Sequence, residues 1–247
     1  MQRYFIEVAY KGTHYSGFQI QENANTIQAE IEKVFHTIHR RPVSLTGSSR
    51  TDAGVHALQN FFHFDDELPL HSQFVYKANA ILPADIVIKN LIPVKKEAHS
   101  RFDATSRAYE YRIIRNKNPF LQETALYYPY NIDIDLLQTT AAIIKKKTNF
   151  FAFSKTNTQV KNFICTIYRS EWREEGDLLF YNIEGNRFLR GMVRLLTASQ
   201  LKVGRGKLTL EAFTKLFEGV GKCGFSVPST GLFLEKVKFP DIINRED

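Results

Sequence analysis

A chain of 247 residues, 43% hydrophobic and 24% charged, holds one large domain or two smaller halves with substantial cores, a balance that excludes extensive disorder. The formal net charge of +7 leans toward a polyanionic partner. The only two cysteines, Cys165 and Cys223, exclude a framework of several disulfides and make the cytoplasm the expected compartment; no apolar run approaches membrane-spanning length, so no membrane partner is expected.

Tyr4–Tyr10, rich in β-branched and aromatic residues, predicts a strand. After a turn through Lys11–Gly17, Thr26 caps a helix whose apolar residues Ile27, Ile31, Val34, Phe35 and Ile38 recur at helical spacing. A strand about Val43 and Leu45, the loop Arg50–Ala57, an aromatic strand Phe61–Phe64, a helix over Ser72–Ile81 and a strand over Ile86–Ile92 follow. Strand-helix-strand-strand-helix-strand is the ferredoxin-like order.

The second half repeats that plan with larger inserts. Its first strand, Arg107–Ile114, sets Tyr109, Tyr111 and Ile113 on one face and Glu110 and Arg112 on the other. A helix over Ile134–Lys146, strands Ile164–Trp172 and Leu178–Glu184, helices Phe188–Val203 and Leu210–Phe217, and a strand Gly231–Phe239 complete it. The expected fold is α+β, with ferredoxin-like (RRM-like) halves at 1–104 and 105–247. They are expected to form a continuous, mostly antiparallel sheet with helices packed on it.

One stretch stands out chemically. Ser48-Ser49-Arg50-Thr51-Asp52-Ala53-Gly54-Val55-His56-Ala57 sets a carboxylate among small residues, with an arginine two positions before it that holds it ionised. Such an aspartate serves as a nucleophile; the same residue types also favour an ordinary cap or turn. Arg187, Arg190 and Arg194, at i, i+3 and i+7 on a helix opened by Gly185-Asn186, are expected to share one face, either as a solvated basic stripe or with an arginine reaching a buried carboxylate. Tyr109 offers a flat ring to a base, or fills the core, and Arg101, Arg107, Arg112, Arg115 and Lys117 interleave with nearby aromatics as a nucleic-acid surface requires. Gly219-Val220-Gly221-Lys222 lacks the first glycine and the following Ser/Thr of a phosphate-binding loop. His36 and His39 lack a third ligand, and there is no dinucleotide fingerprint, so neither a redox cofactor nor a metal is expected.

Arg50-Thr51-Asp52-Ala53-Gly54-Val55-His56 closely resembles the signature of the TruA family of tRNA pseudouridine synthases. The likeness extends, in family order, to Tyr15-Ser16-Gly17-Phe18-Gln19, Asn79-Ala80-Ile81-Leu82-Pro83, Arg101-Phe102-Asp103-Ala104 with Arg107-Ala108-Tyr109-Glu110-Tyr111, Phe188-Leu189-Arg190-Gly191-Met192-Val193-Arg194, and Pro228-Ser229-Thr230-Gly231-Leu232-Phe233-Leu234. The resemblance implies the pseudouridine synthase fold and isomerisation of uridine to pseudouridine at positions 38 to 40 in the anticodon arm of tRNA. It implies a homodimer whose two subunits both contact the tRNA, and no cofactor. By the same resemblance Asp52 is the nucleophile, Arg50 helps displace the target nucleotide, Tyr109 contacts the target base, and Arg194 is the basic partner of the aspartate. Gly191 and Val227 depart from the family pattern, which bears on fine tRNA contacts rather than on the reaction. Two other readings are a catalytically silent RNA-binding module, which leaves Asp52 as an unmotivated negative charge near phosphates, and an RNA glycosidase, which releases free base.

Overall fold

The structure, a computed structural model, describes residues 1–67, 70–156, 160–219 and 221–240. The fold is α+β. The chain divides into two compact units: Met1–Thr105, to which the chain returns at Leu234, and Ser106–Phe233.

In the first unit, β1 (Gln2–Tyr10), α1 (Ile27–His39), β2 (Thr46–Gly47), β3 (His56–Asp66), α2 (Phe74–Ile81) and β4 (Ile86–Val94) follow in the expected order. β1 pairs antiparallel with both β3 and β4, and β2 pairs antiparallel with β3, giving the ferredoxin-like order β4-β1-β3-β2. The residues alternate across the pleat, and Phe64 of β3 meets Phe35 of α1 edge-on at 4.9 Å while Phe35 packs on Phe74 of α2 at 4.7 Å. Thr26 caps α1 by accepting from Ala29 N, and the buried residues of that helix are Ile27, Ile31, Val34 and Phe35. Val43 and Leu45 are buried but not in a ladder. Leu45 N donates to Glu32 Oε1 (2.9 Å) and Leu45 O accepts from Gln28 Nε2 (2.8 Å), so side chains of α1 take the groups a strand would use, and pairing begins only at Thr46.

In the second unit, β5 (Ser106–Ile114), β6 (Leu126–Tyr127), α3 (Ile134–Lys146), β7 (Ile167–Glu175), β8 (Leu178–Gly185), α4 (Met192–Gly204) and α5 (Leu210–Lys215) repeat the plan. β8 pairs antiparallel with β5 on one side and β7 on the other, while β6 adds a short parallel pairing to β5. Trp172 of β7 stacks on Tyr181 of β8 at 4.9 Å, and its Nε1 donates to Gln200 Oε1 of α4 at 2.8 Å, which seats that helix on the sheet. The last strand, β9 (Leu232–Lys238), starts in the second unit and finishes in the first. There Lys238 O accepts from Thr105 N (2.8 Å), Val237 N donates to Gln59 Oε1, and Phe239 packs against Phe5 and Phe61.

The helix expected from Phe188 begins at Met192 instead, because Gly191 takes a left-handed conformation (φ +74°) that a right-handed helix cannot include. Arg187 and Arg190 therefore precede α4 and only Arg194 rides on it, so the three arginines do not form a stripe on one helix. Among the described residues no helix is long and apolar enough to cross a membrane.

Candidate active site

The loop carrying Arg50 and Asp52 joins β2 to β3, and its neighbours fix it from several directions. At its entrance Ser48 N donates to Phe61 O at 2.7 Å, and Asn60 Nδ2 donates to Ser49 O at 2.9 Å. Asn60 Nδ2 also reaches the Tyr10 hydroxyl (3.2 Å), and that hydroxyl bonds Thr51 Oγ1 at 2.8 Å. Asn60, Tyr10 and Thr51 are buried, so these bonds satisfy groups that have little other access to water. Asp52 itself is half-buried, and Arg50 beside it is exposed.

The turn after β1 completes the support. Phe18 N donates to Thr51 O (3.2 Å), Gly54 N donates to Tyr15 O (3.2 Å), and Val55 N closes a turn onto Asp52 O (3.2 Å). Gly54 sits at φ +75°, as the third position of such a turn requires. A side chain at Gly12 would put its Cβ 2.0 Å from Val55 O, and the Gly12 N–H donates to buried His56 Nδ1 at 3.1 Å. The Phe18 ring stacks on Phe62 at 4.3 Å beneath the loop. Tyr15 donates to Asp85 Oδ1 at 2.6 Å, while Lys11 N donates to Asp85 O, tying the turn to the start of β4. Burial and the bond to Asp85 push the Tyr15 phenol far above its ordinary range, so it remains a neutral donor. Two segments some forty residues apart thus make one rigid cradle for the Asp52 backbone.

The second unit holds Tyr109 and Arg194. Tyr109 is half-buried on β5 opposite Ile183, with its ring edge-on to Phe188 at 5.1 Å. Tyr111, two residues on and on the same face, is fully buried and donates to Pro228 O at 2.8 Å. Burial raises the Tyr111 phenol, and the positive charge of Arg194 opposes that shift, so the field of Arg194 reaches this face of β5. Arg194 Nε donates to Val227 O at 2.8 Å. Arg194 and Tyr111 are therefore fastened to consecutive carbonyls of one segment. That segment continues into Gly231, where a Cβ would lie 2.5 Å from Arg112 O and 3.0 Å from the Tyr111 ring. On the opposite face, buried Glu110 accepts from Arg112 Nε (2.7 Å), Arg173 Nη2 (3.3 Å) and Asn182 Nδ2 (3.3 Å), and the Arg112 guanidinium lies 3.7 Å from the Phe233 ring centroid.

Arg50 and Asp52 thus share one loop of the first unit, and Tyr109 and Arg194 share one face of the second. Sequence reasoning passed over the supporting residues Tyr10, Asn60, Asp85 and the Val227–Pro228 carbonyls. The signal nearest Tyr10 was the pair of glycines, Gly12 and Gly17, in the turn after it, and Pro228 stood at the head of the last block of the resemblance with Val227 just before it. His36 is exposed, and His39 packs flat on Phe35 and Phe74. Among the described residues no group of three or more His, Cys, Asp or Glu side chains is arranged to hold a metal ion.

The family model described as tRNA pseudouridine synthase matches residues 6–103 and 147–240, which include the Asp52 loop, α4 and the Val227–Pro228 segment. Tyr109 falls between the two matched segments. Similar proteins named tRNA pseudouridine synthase A include one from Parabacteroides distasonis, 41% identical over 98% of this chain and 97% of its own length. Another, from Bacteroides thetaiotaomicron, is 41% identical over 100% of this chain and 94% of its own. A third, from Staphylococcus aureus, is 36% identical over 95% and 90%.

Proposed function

This chain belongs to the tRNA pseudouridine synthase family, and we propose that it converts uridine to pseudouridine at positions 38 to 40 in the anticodon arm of tRNA, with Asp52 as its nucleophile. The reaction breaks the bond from ribose C1′ to uracil N1, turns the ring, and joins C1′ to C5. C5 gives up a proton and N1 gains one, so the change is an isomerisation in which no electrons are gained or lost.

The observation that carries the reading is the Asp52 cradle. A carboxylate held by a backbone bonded on both sides needs little reorganisation to reach a substrate atom, which is how positioning contributes to rate. The target base has to leave its stack before any side chain can touch it, at a cost of about a few kcal/mol in a duplex. In this reading exposed Arg50 fills the space the nucleotide leaves, and the Tyr109 ring stacks on the extruded uracil. Arg194 is the basic partner of the aspartate by resemblance to the family signature. The enzyme works in the cytoplasm as a homodimer whose two subunits both touch one tRNA, as the resemblance implies.

Incubating the protein with unmodified tRNA, then counting free uracil and mapping pseudouridine at single-nucleotide resolution, tests the proposal. Pseudouridine confined to positions 38 to 40 without free uracil is the expected result. Free uracil points to a glycosidase, binding without product points to a silent RNA-binding module, and product at other positions overturns the assignment of the anticodon arm.

A further inference from the structure

An exposed lysine is ordinary on a protein surface, but Lys155 is laid across a place where the backbone carries no side chain. The turn that leads to it is fixed from two sides. Ser154 Oγ donates to Phe151 O at 2.9 Å, and Lys222 Nζ donates both to Phe151 O (2.8 Å) and to Ser154 Oγ (2.7 Å). Cys223 N donates to Ala152 O at 2.8 Å, and Lys222 Nζ lies 3.8 Å from the Phe151 ring centroid, so this second lysine directs its charge into the turn. Lys155, the next residue along, is exposed, and its N–H donates to Arg190 O at 3.2 Å. Its side chain runs over Gly191: a Cβ at that glycine would lie 3.1 Å from Lys155 Cγ, 3.2 Å from Cε and 3.5 Å from Cδ. Gly191 stands at φ +74° and opens α4. The missing Cβ therefore has two effects. It permits the turn into the helix, and it leaves a bed along which three carbons of the lysine stem make contact. A stem held along its length has less freedom to lose when its ammonium meets a partner.

The charge around it indicates the class of partner. The turn belongs to residues 151–170, the approach to α4 to residues 185–210, and the segment bonded to the turn to residues 221–234. None of these three stretches contains an aspartate or a glutamate, and together they hold ten lysines and arginines. A surface of one sign over that length suits a polyanion. Its place in the second unit narrows this further. Arg190 is exposed, and Phe188, two residues before it, meets the Tyr109 ring at 5.1 Å. Gly191 is three residues from Phe188, so the chain itself keeps the two within about 11 Å. The ammonium is thus close enough to meet the backbone of a nucleotide at Tyr109 or of its neighbour, and contacts of lysine to phosphate are what fix the register of a nucleic acid.

We propose that Lys155 is a phosphate-binding residue for tRNA, seated on Gly191 so that its ammonium meets the backbone beside the nucleotide that stacks on Tyr109. The proposal rests on the tRNA pseudouridine synthase reading and identifies a further contact of that substrate. It also connects Gly191, where the chain departs from the family pattern, to the lysine that occupies the space above it.

The test measures tRNA affinity over a salt series from ~50 to ~200 mM for the wild type, Lys155→Ala, Lys155→Arg, Gly191→Asn and the double variant Lys155→Ala/Gly191→Asn. Lys155→Ala should weaken binding about fivefold at ~100 mM salt and lower the slope of log affinity against log salt by about one, since one phosphate contact fewer releases counterions. Lys155→Arg keeps the charge and should follow the wild type in both. Asparagine tolerates a positive φ, but its Cβ meets the lysine stem, so Gly191→Asn should push the stem aside and match Lys155→Ala in affinity and slope. In the double variant the second change should add little, because the lysine is already gone. Lys155→Ala and Lys155→Arg should unfold at the wild-type temperature, and these two decide the contact whether or not Gly191→Asn folds. Wild-type affinity in Lys155→Ala, or a weaker affinity with an unchanged salt slope, overturns the phosphate contact; if the wild type still forms pseudouridine, the enzymatic reading survives. Additive losses in the double variant overturn the part given to Gly191. A wild type that binds tRNA without forming product overturns the enzymatic reading, and the salt series still decides the contact. A wild type that binds no tRNA overturns both.

Discussion

Burial, with the neighbouring His99 and Arg3, holds the His63 imidazole down at about 4, against an ordinary histidine value of 6.5, while Asp65 and Asp103 pull weakly the other way. Ser100 N also donates to His63 Nδ1 at 3.3 Å, a bond available only while that nitrogen carries no proton. Between those two values the unfolded chain binds a proton that the folded chain refuses. Stability is therefore level above about pH 7 and falls as the pH drops from 6.5 toward 4. Burial lowers His39 and His99 as well, which acts in the same direction. Calorimetry should show a lower unfolding temperature at pH 5 than at pH 7.5, with a smaller difference in His63→Gln; equal slopes for the two proteins would contradict this assignment. For Tyr109 the ring is separable from the hydroxyl. Tyr109→Phe should bind tRNA nearly as the wild type does, whereas Tyr109→Ala should lose about 1–3 kcal/mol of stacking. Affinity and single-turnover rates on both variants check this, and wild-type behaviour of Tyr109→Ala would remove the residue from the site. The Arg50–Asp52 stretch drew notice in the sequence through the small residues around its carboxylate, which suit an ordinary turn equally well, and only the resemblance proposed a role for it. Tyr10 and Asn60 were not legible, since a buried hydroxyl-amide pair becomes visible only once β1 is known to lie beside β3.

The helices and strands were most legible where one physical signal dominated. Asp133 caps α3, accepting from Leu136 N, and the apolar spacing runs uninterrupted to Lys146, so both ends of that helix coincide with expectation. In α4 the spacing of Phe188, Met192, Leu195 and Leu196 runs smoothly through Gly191, and nothing in that spacing reveals a positive φ there. The shortening of β2 has a different origin, in bonds from Gln28 and Glu32 that depend on where α1 comes to rest. The cradle of the Asp52 loop gives a prediction at this scale. Gly12→Ala brings a methyl group to 2.0 Å from a backbone oxygen of the loop, and backbone cannot swing aside as a flexible side chain does. It should cost about 1–3 kcal/mol of stability and reduce activity with it. Gly224→Ala meets nothing within 4 Å and should change stability by less than about 0.5 kcal/mol. Denaturant unfolding of the pair checks the contrast, and equal midpoints would show that the turn after β1 yields without resistance.

At the scale of the whole molecule, two ferredoxin-like orders were readable from the alternation of strand and helix patterns. The passage of β9 from the second unit into the first was not, because it depends on long-range bonds at Thr105 and Gln59. The net charge of +7 makes its own prediction. Each pair of phosphates neutralised by lysine or arginine should weaken tRNA binding about tenfold between ~50 and ~200 mM salt, through counterion release. A dissociation constant indifferent to salt would contradict an electrostatic RNA surface. The central claim is that one carboxylate carries the chemistry while the affinity is spread over many contacts, and single-turnover formation of pseudouridine by Asp52→Asn tests it most directly. The variant should unfold like the wild type, keep most of its tRNA affinity and form no pseudouridine; substantial product from purified Asp52→Asn protein would contradict the account.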